Sequence, residues 1–236
     1  MEAGATVARD LDAELDRIER AVEAGRADLS ALGFWRIVAT VKRDDALIAR
    51  YADQIGRIDA AAFRRWARFR LPLPVGNAVL LTGAAAALGA AITATAVPSP
   101  PWAGALLIGA GAVWSVALHC PTHWLIGSIF GIRFTDYFLG GPPPPRPGLK
   151  TDYATYLRAE PRGRALMHAS GAVATKLAPL LALAWWPATR APWWAAAVLV
   201  AIAAVQVVTD LVFSVRSSDW KKYLRERAVA RARAQA

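Results

Sequence analysis

Histidine, cysteine and methionine are scarce in this chain, and several long stretches carry no charge. Of its 236 residues three are His, one is Cys and two are Met. The single cysteine, Cys120, excludes an intramolecular disulfide and leaves the redox compartment open. Three histidines are too few to furnish a histidine-rich di-iron site with its usual ligand set. Residues 1–70 lack the uncharged apolar run that a signal peptide needs. Charge is missing altogether from Asn77–Val97, Trp102–Ile132 and Ala191–Thr209, and Ala165–Trp186 carries Lys176 alone. No internal repeat is evident.

What fills those stretches is apolar. Hydrophobic residues make up 56% of the chain, and it holds 10 tryptophans. A bilayer core is crossed by about 20 apolar residues in a helix. Four transmembrane helices are therefore expected, over residues 77–97, 102–132, 165–186 and 191–214, with a loop over 133–164. Runs such as "GAAAALGAA" and "AGALLIGAGA" suit close helix packing in a membrane without any site.

The net charge is +10, and its distribution points to a membrane surface rather than to nucleic acid. Basic residues gather before the first span ("FRRWARFRLP"), between the second and third, and after the fourth ("RSSDWKKYLRERAVARARAQA"). The short connections "PSPP" and "PATRAP" share one charge, Arg190. Positive segments stay on the cytoplasmic side. The expectation is an integral cell-membrane protein with both termini cytoplasmic, in contact with membrane lipids and with no nucleic-acid partner.

Three regions result: 1–72 cytoplasmic and helical, 73–216 the four-span membrane domain, and 217–236 a basic tail. Leu11, Leu15, Ile18 and Val22 predict a first helix over 8–25, ended by Gly25. A second helical stretch is predicted from Ser30 to Arg70, giving a helical hairpin, and "RLPLPVG" then breaks it. "GIRFTDYFLGG", after the second span, is rich in aromatic and β-branched residues and predicts a short strand. Pro142–Gly148 predicts a stiff polyproline stretch, and "LKTDYATYLRAEPRGR" a turn or short helix. The fold class expected is an all-α polytopic membrane protein with this one strand and the N-terminal hairpin.

Ionisable groups inside membrane spans are costly and become candidates for function. Here they are His119, His123, Lys176 and Asp210, with His168 near the start of the third span. His119 and His123 are one helical turn apart and share a helix face. Two such imidazoles can reach one zinc ion at about 2.0–2.1 Å, given a third ligand from elsewhere. Asp210, on another span, is the acid best placed by depth. Lys176 and Asp210 also lie on different spans and could instead pair with each other. Asp136 falls on the predicted strand, and Asp219 in "SSDWKK", at the membrane interface, reads as a helix cap or a lipid-facing ion; both are acids that could also serve as a base.

The run "HCPTHWLIGSIFGIRFTDYFLGG" resembles the first motif of the site-2 protease family, the intramembrane zinc metalloproteases. That motif is HExxH on a membrane helix, followed by a strand. "HASGAVATKLAPLLALA" resembles the family's second motif. Gly171 and Ala174 match it, Ala172 stands for a proline and Thr175 for an asparagine. "VVTDLVFSVRSSDW" offers Asp210 as the aspartate of the third element. The likeness covers residues 105–215. It implies a site-2-protease-like core, a zinc site of His119, His123 and Asp210, and a cavity lined by His168, Thr175 and Lys176. It also implies a transmembrane peptide or protein substrate, paired along the strand by β-augmentation.

The departures are equally specific. HCPTH replaces HExxH, so Cys120 stands where the family has its general-base glutamate, and Pro121 falls within the motif. A thiol with a pKa of about 8.5 does not inherit a carboxylate's proton transfer near neutral pH. Three outcomes follow for the chemistry: a degenerate, non-proteolytic relative, an enzyme with a relocated base, or a metalloenzyme of another kind. From a different class comes a small structural or transport subunit, in which the buried His and Asp residues relay protons or ions.

Overall fold

The computed structural model describes residues 2–67, 69–140, 146–212 and 218–235. Helix dominates, a small antiparallel sheet accompanies it, and the chain divides into two compact units.

The first unit holds 1–73, 128–161 and 228–236. It opens with α1 (Glu2–Glu23), α2 (Phe34–Val41) and α3 (Asp45–Trp66). The stretch predicted as one helix from Ser30 to Arg70 is thus two. Asp44 is the reason. It takes an extended backbone, and its carboxylate accepts from the Ala46 and Leu47 N–H groups, starting a new helix. The predicted stripe of α1 is the inner one: Leu11, Leu15, Ile18 and Val22 are all buried, against Phe34, Val41, Tyr51, Ile55 and Ile58. The rim is charged, with Arg50 on Asp12 at 2.5 Å and Arg36 on Glu14 at 3.1 Å.

The same unit contains β1 (Phe69–Pro72), β2 (Phe134–Gly140), β3 (Arg146–Thr151) and α7 (Tyr153–Arg158). β2 is the expected strand, and it is the central one. β1 and β3 both pair with it antiparallel, in the order β1-β2-β3. Both its edges are therefore taken, so an extended substrate would have no free edge on β2. "RLP", expected only to break a helix, is β1, and the end of the expected polyproline stretch is the start of β3. The rest of that stretch, 142–145, lies outside the described residues. Asp152 caps α7 by accepting from the Ala154 N–H. The Leu157 side chain of α7 is fully buried in the helical core. Lys150 of β3 pairs with the buried Asp59 of α3.

The second unit holds 74–127 and 162–227. Its helices are α4 (Leu73–Ala96), α5 (Pro100–Ala117), α6 (His119–Ile129), α8 (Pro161–Trp185), α9 (Trp193–Val212) and the first part of α10 (Asp219–Ala234). Four stretches are long and apolar enough to cross a membrane: α4, α5, α9, and α8 with the 3₁₀ turn that extends it to Ala188. They pack through small residues. Ala87, Ala91, Ala103, Ala110, Ala178 and Ala195 are all buried, with Leu107, Leu199 and Trp114 filling the gaps. The Trp114 indole N–H donates to the Ala84 carbonyl at 3.0 Å. Large aliphatics face outward instead, among them Val79, Ile92, Leu181 and Val205, as lipid-facing helices require.

The second span, predicted over 102–132, is interrupted. α5 ends at Ala117 and α6 begins at His119. Pro121 explains the break, because it has no N–H to give the Ala117 carbonyl. The 18 residues of α5 rise about 27 Å, close to the thickness of a bilayer core. The histidines therefore lie on a separate helical segment that follows the span.

Candidate metal centre

His119 and His123 start α6 and project from one face, with ring centroids 4.8 Å apart. Their ring orientations are set from α8. His123 Nδ1 lies 2.6 Å from the Met167 carbonyl oxygen. His119 Nδ1 lies 3.1 Å from the Gly171 carbonyl oxygen and 2.9 Å from Thr175 Oγ1. A carbonyl oxygen only accepts, so each Nδ1 carries the proton and donates it. Thr175 agrees with this assignment: its own hydroxyl donates to the Gly171 carbonyl at 2.9 Å, so its oxygen is left to accept from His119.

With each Nδ1 committed to a carbonyl, Nε2 is the ring nitrogen left for a further partner in both histidines. Both Nε2 atoms face the same atom, Asp219 Oδ2, at 3.3 Å from His119 and 3.2 Å from His123. Two ring nitrogens thus converge on one carboxylate oxygen, where a shared proton or a cation can sit between them. The donor atoms of His119, His123 and Asp219 lie within 4.8 Å of one another, and the group can hold a metal ion. Two ligands about 2.05 Å from a tetrahedral ion sit about 3.3 Å apart, which matches both imidazole–carboxylate separations. An imidazole bound through Nε2 with Nδ1–H on a carbonyl is the usual way a protein orients a metal ligand.

Asp219 is held from its other side. Lys222 Nζ lies 3.1 Å from Oδ1, and His168 Nδ1 lies 3.9 Å from the same oxygen. Burial alone would raise the Asp219 carboxyl. Hydrogen bonds from His119 and His123, and the nearby Lys222 ammonium, outweigh that and hold it well below the usual carboxylate range. Gly171 makes the close approach possible. A Cβ there would lie 2.2 Å from His123 Nε2, so the ring rests on bare backbone.

The expected third ligand, Asp210, is elsewhere. It pairs with Lys176, whose ammonium also donates to the Ala172 carbonyl at 2.8 Å. The acid beside the histidines is Asp219, which the sequence presented as a helix cap at the head of a basic segment. Its one local signal is that it and Glu226 are the only acids among the basic residues after the fourth span. Of the three residues expected to line a cavity, Thr175 touches His119, His168 stands beside Asp219, and Lys176 is committed to Asp210. Cys120 is buried as a free thiol. Asp136 lies half-buried on β2, opposite Pro72.

No family model, no curated protein and no solved structure matches the chain.

Proposed function

We propose that the chain is an integral membrane protein in which His119, His123 and Asp219 hold a divalent metal ion, zinc by the character of the donors, on a site-2-protease-like scaffold that does not cut peptides. One observation carries this reading. Both imidazoles are pinned through Nδ1, so that both Nε2 atoms meet a single carboxylate oxygen at ligand-to-ligand distance. Two imidazoles and a carboxylate are a donor set that zinc accepts, with a fourth position left open.

The chain's own residues define what the site does. Met167, Gly171 and Thr175 orient the rings. Lys222 occupies Oδ1 of Asp219 and turns Oδ2 toward the histidines. A bound zinc ion would supply Lewis acidity and a more acidic bound water. No carboxylate stands where the family's base would take a proton from that water, because position 120 is the buried Cys120. His168 is the nearest further titratable ring, and it is turned to Asp219. Retention of the ligands without the base favours a metal-dependent binding or structural role over hydrolysis.

The test is metal content by elemental mass spectrometry on detergent-purified protein. Wild type and Asp210→Asn are expected near one zinc per chain. His119→Ala/His123→Ala and Asp219→Asn are expected to lose it. Absence of stoichiometric metal from wild type after zinc is supplied would overturn the reading. That result would favour a transport or structural subunit using its polar residues as a relay, for which the Lys176–Asp210 pair between two candidate spans is the supporting observation.

A further inference from the structure

The third ligand arrives on a helix with an unusual inner face. α10 has one buried residue, and it is a charge, Glu226. Its large aliphatic residue, Leu224, is 43% exposed. An amphipathic helix ordinarily docks by burying an apolar stripe, and α10 does not. What it turns inward is Asp219, Lys222 and Glu226, spaced three and four residues apart and so on one face. Glu226 Oε2 accepts from Arg164 Nε at 2.6 Å, and Arg164 is fully buried.

The receiving surface is a matching stripe of α8. Arg164, His168, Gly171 and Thr175 recur at four, three and four residues along it. Arg164 meets Glu226, His168 stands beside Asp219, and Gly171 and Thr175 hold the histidines of α6. Asp219 and Glu226 are two helical turns apart, about 10 Å along α10. One face of α10 thus engages a positioning pair at one end and the candidate ligands at the other.

A buried ion pair roughly breaks even against its own desolvation. With no apolar stripe buried beside it, the pair fixes where α10 sits but adds little net adhesion. Near its far end α10 is tied by Arg233, which pairs with Asp45 at 2.7 Å and donates to the Lys42 carbonyl at 2.9 Å. At the Asp219 end the strong tie is the one the ion would add. Resting on the metal reading above, we propose that seating of α10 and capture of the ion are one event: Arg164 and Glu226 position the helix, and metal bound by His119, His123 and Asp219 holds it in place. Metal occupancy is then reported outward by the C-terminal helix, the regulated element of this site.

Limited proteolysis of the full-length protein in detergent tests this directly, because α10 offers trypsin the exposed Lys221, Arg225, Arg227 and Arg231. Cleavage in α10 is followed by mass spectrometry across a zinc titration and after chelation, with cleavage elsewhere in the chain as internal control. If opening is fast compared with cleavage, protection follows mass action, about 100-fold at a free zinc concentration 100 times Kd. Glu226→Gln is expected to raise α10 cleavage at fixed zinc and to weaken zinc binding about 10-fold. The charge-reversed pair Arg164→Glu/Glu226→Arg is expected to recover part of both. Zinc bound one to one with α10 cleavage unchanged by it would overturn this inference and leave the metal site standing. Failure of wild type to bind zinc would overturn the metal reading and this inference together. Should Glu226→Gln not yield folded protein, the wild-type titration decides alone.

Discussion

At the scale of single residues, the candidate site depends on one missing side chain. His123 lies against Gly171 so closely that a methyl group there would sit 2.2 Å from its Nε2. Gly171→Ala is therefore expected to displace the ring from Asp219 and to weaken zinc binding by about 10–100-fold, the usual range for residues that support metal ligands. Thr175→Val should cost less. It removes one acceptor from His119 Nδ1 and leaves the Gly171 carbonyl in place. Competition with a chromophoric chelator measures both, and the expected order is wild type, then Thr175→Val, then Gly171→Ala. Wild-type affinity in Gly171→Ala would contradict the packing described. The histidines were legible in the sequence because they are rare and one turn apart. Asp219 was not. An acid followed by "WKK" is ordinary for a helix start, and nothing local tells that its carboxylate turns toward residues about a hundred positions earlier.

At the scale of elements, what could be read was whatever one segment settles for itself. Apolar runs with at most one charge mark α4, α5, α8 and α9, because a membrane helix satisfies its backbone internally. What could not be read depended on a partner. β1 hides in a basic run and becomes a strand only by pairing with β2, some 65 positions later. β3 begins with Arg-Pro-Gly, which alone suggests a turn. Gly148 is tolerated there because the Phe138 ring packs across the space a Cβ would fill. The apolar positions of α1 and α3 were legible as a helix face, and Tyr51 shows what that packing does to a titrating group. It is buried on α3, and burial first, then a hydrogen bond with Asp12 of α1, pushes its phenol up to about 12. In the unfolded chain it titrates near 10. Between those values the folded state keeps a proton that the unfolded state has lost, so stability falls as pH rises. The Tyr51 contribution is complete below about pH 10 and is lost as pH rises through about 12. Tyr51→Phe is expected to unfold at a lower temperature than wild type at neutral pH, through loss of the Asp12 contact. It should also show a shallower decline between pH 10 and 12. Circular dichroism melts at steps across that range read the difference, and parallel declines would contradict the assignment.

At the scale of the whole molecule, the distribution of charge makes a claim about sidedness. Arg64, Arg65, Arg68 and Arg70 stand before the first candidate span, and Lys221, Lys222, Arg225 and Arg227 follow the fourth. Between α8 and α9 there is Arg190 alone, and between α4 and α5 no charge at all. Short loops rich in Lys and Arg are retained in the cytoplasm. Both termini are therefore expected inside, with the two short connections outside. Because Cys120 is the only native thiol, a Cys120→Ser background allows single-cysteine labelling in intact cells. Ser99→Cys, at the start of α5, is expected to react with a membrane-impermeant maleimide from outside. Ser30→Cys, in the exposed turn before α2, is expected to react only after lysis. Each answer also bears on the metal centre. Asp219 heads the basic segment after the fourth span, so termini on the inside put its helix at the cytoplasmic face, where the ion would be taken from the cytosolic pool. The reverse pattern, with Ser30→Cys labelled and Ser99→Cys protected, would overturn the sidedness drawn from charge. The ion would then have to come from outside the cell, and a zinc response of α10 would have to be sought with extracellular rather than cytosolic metal.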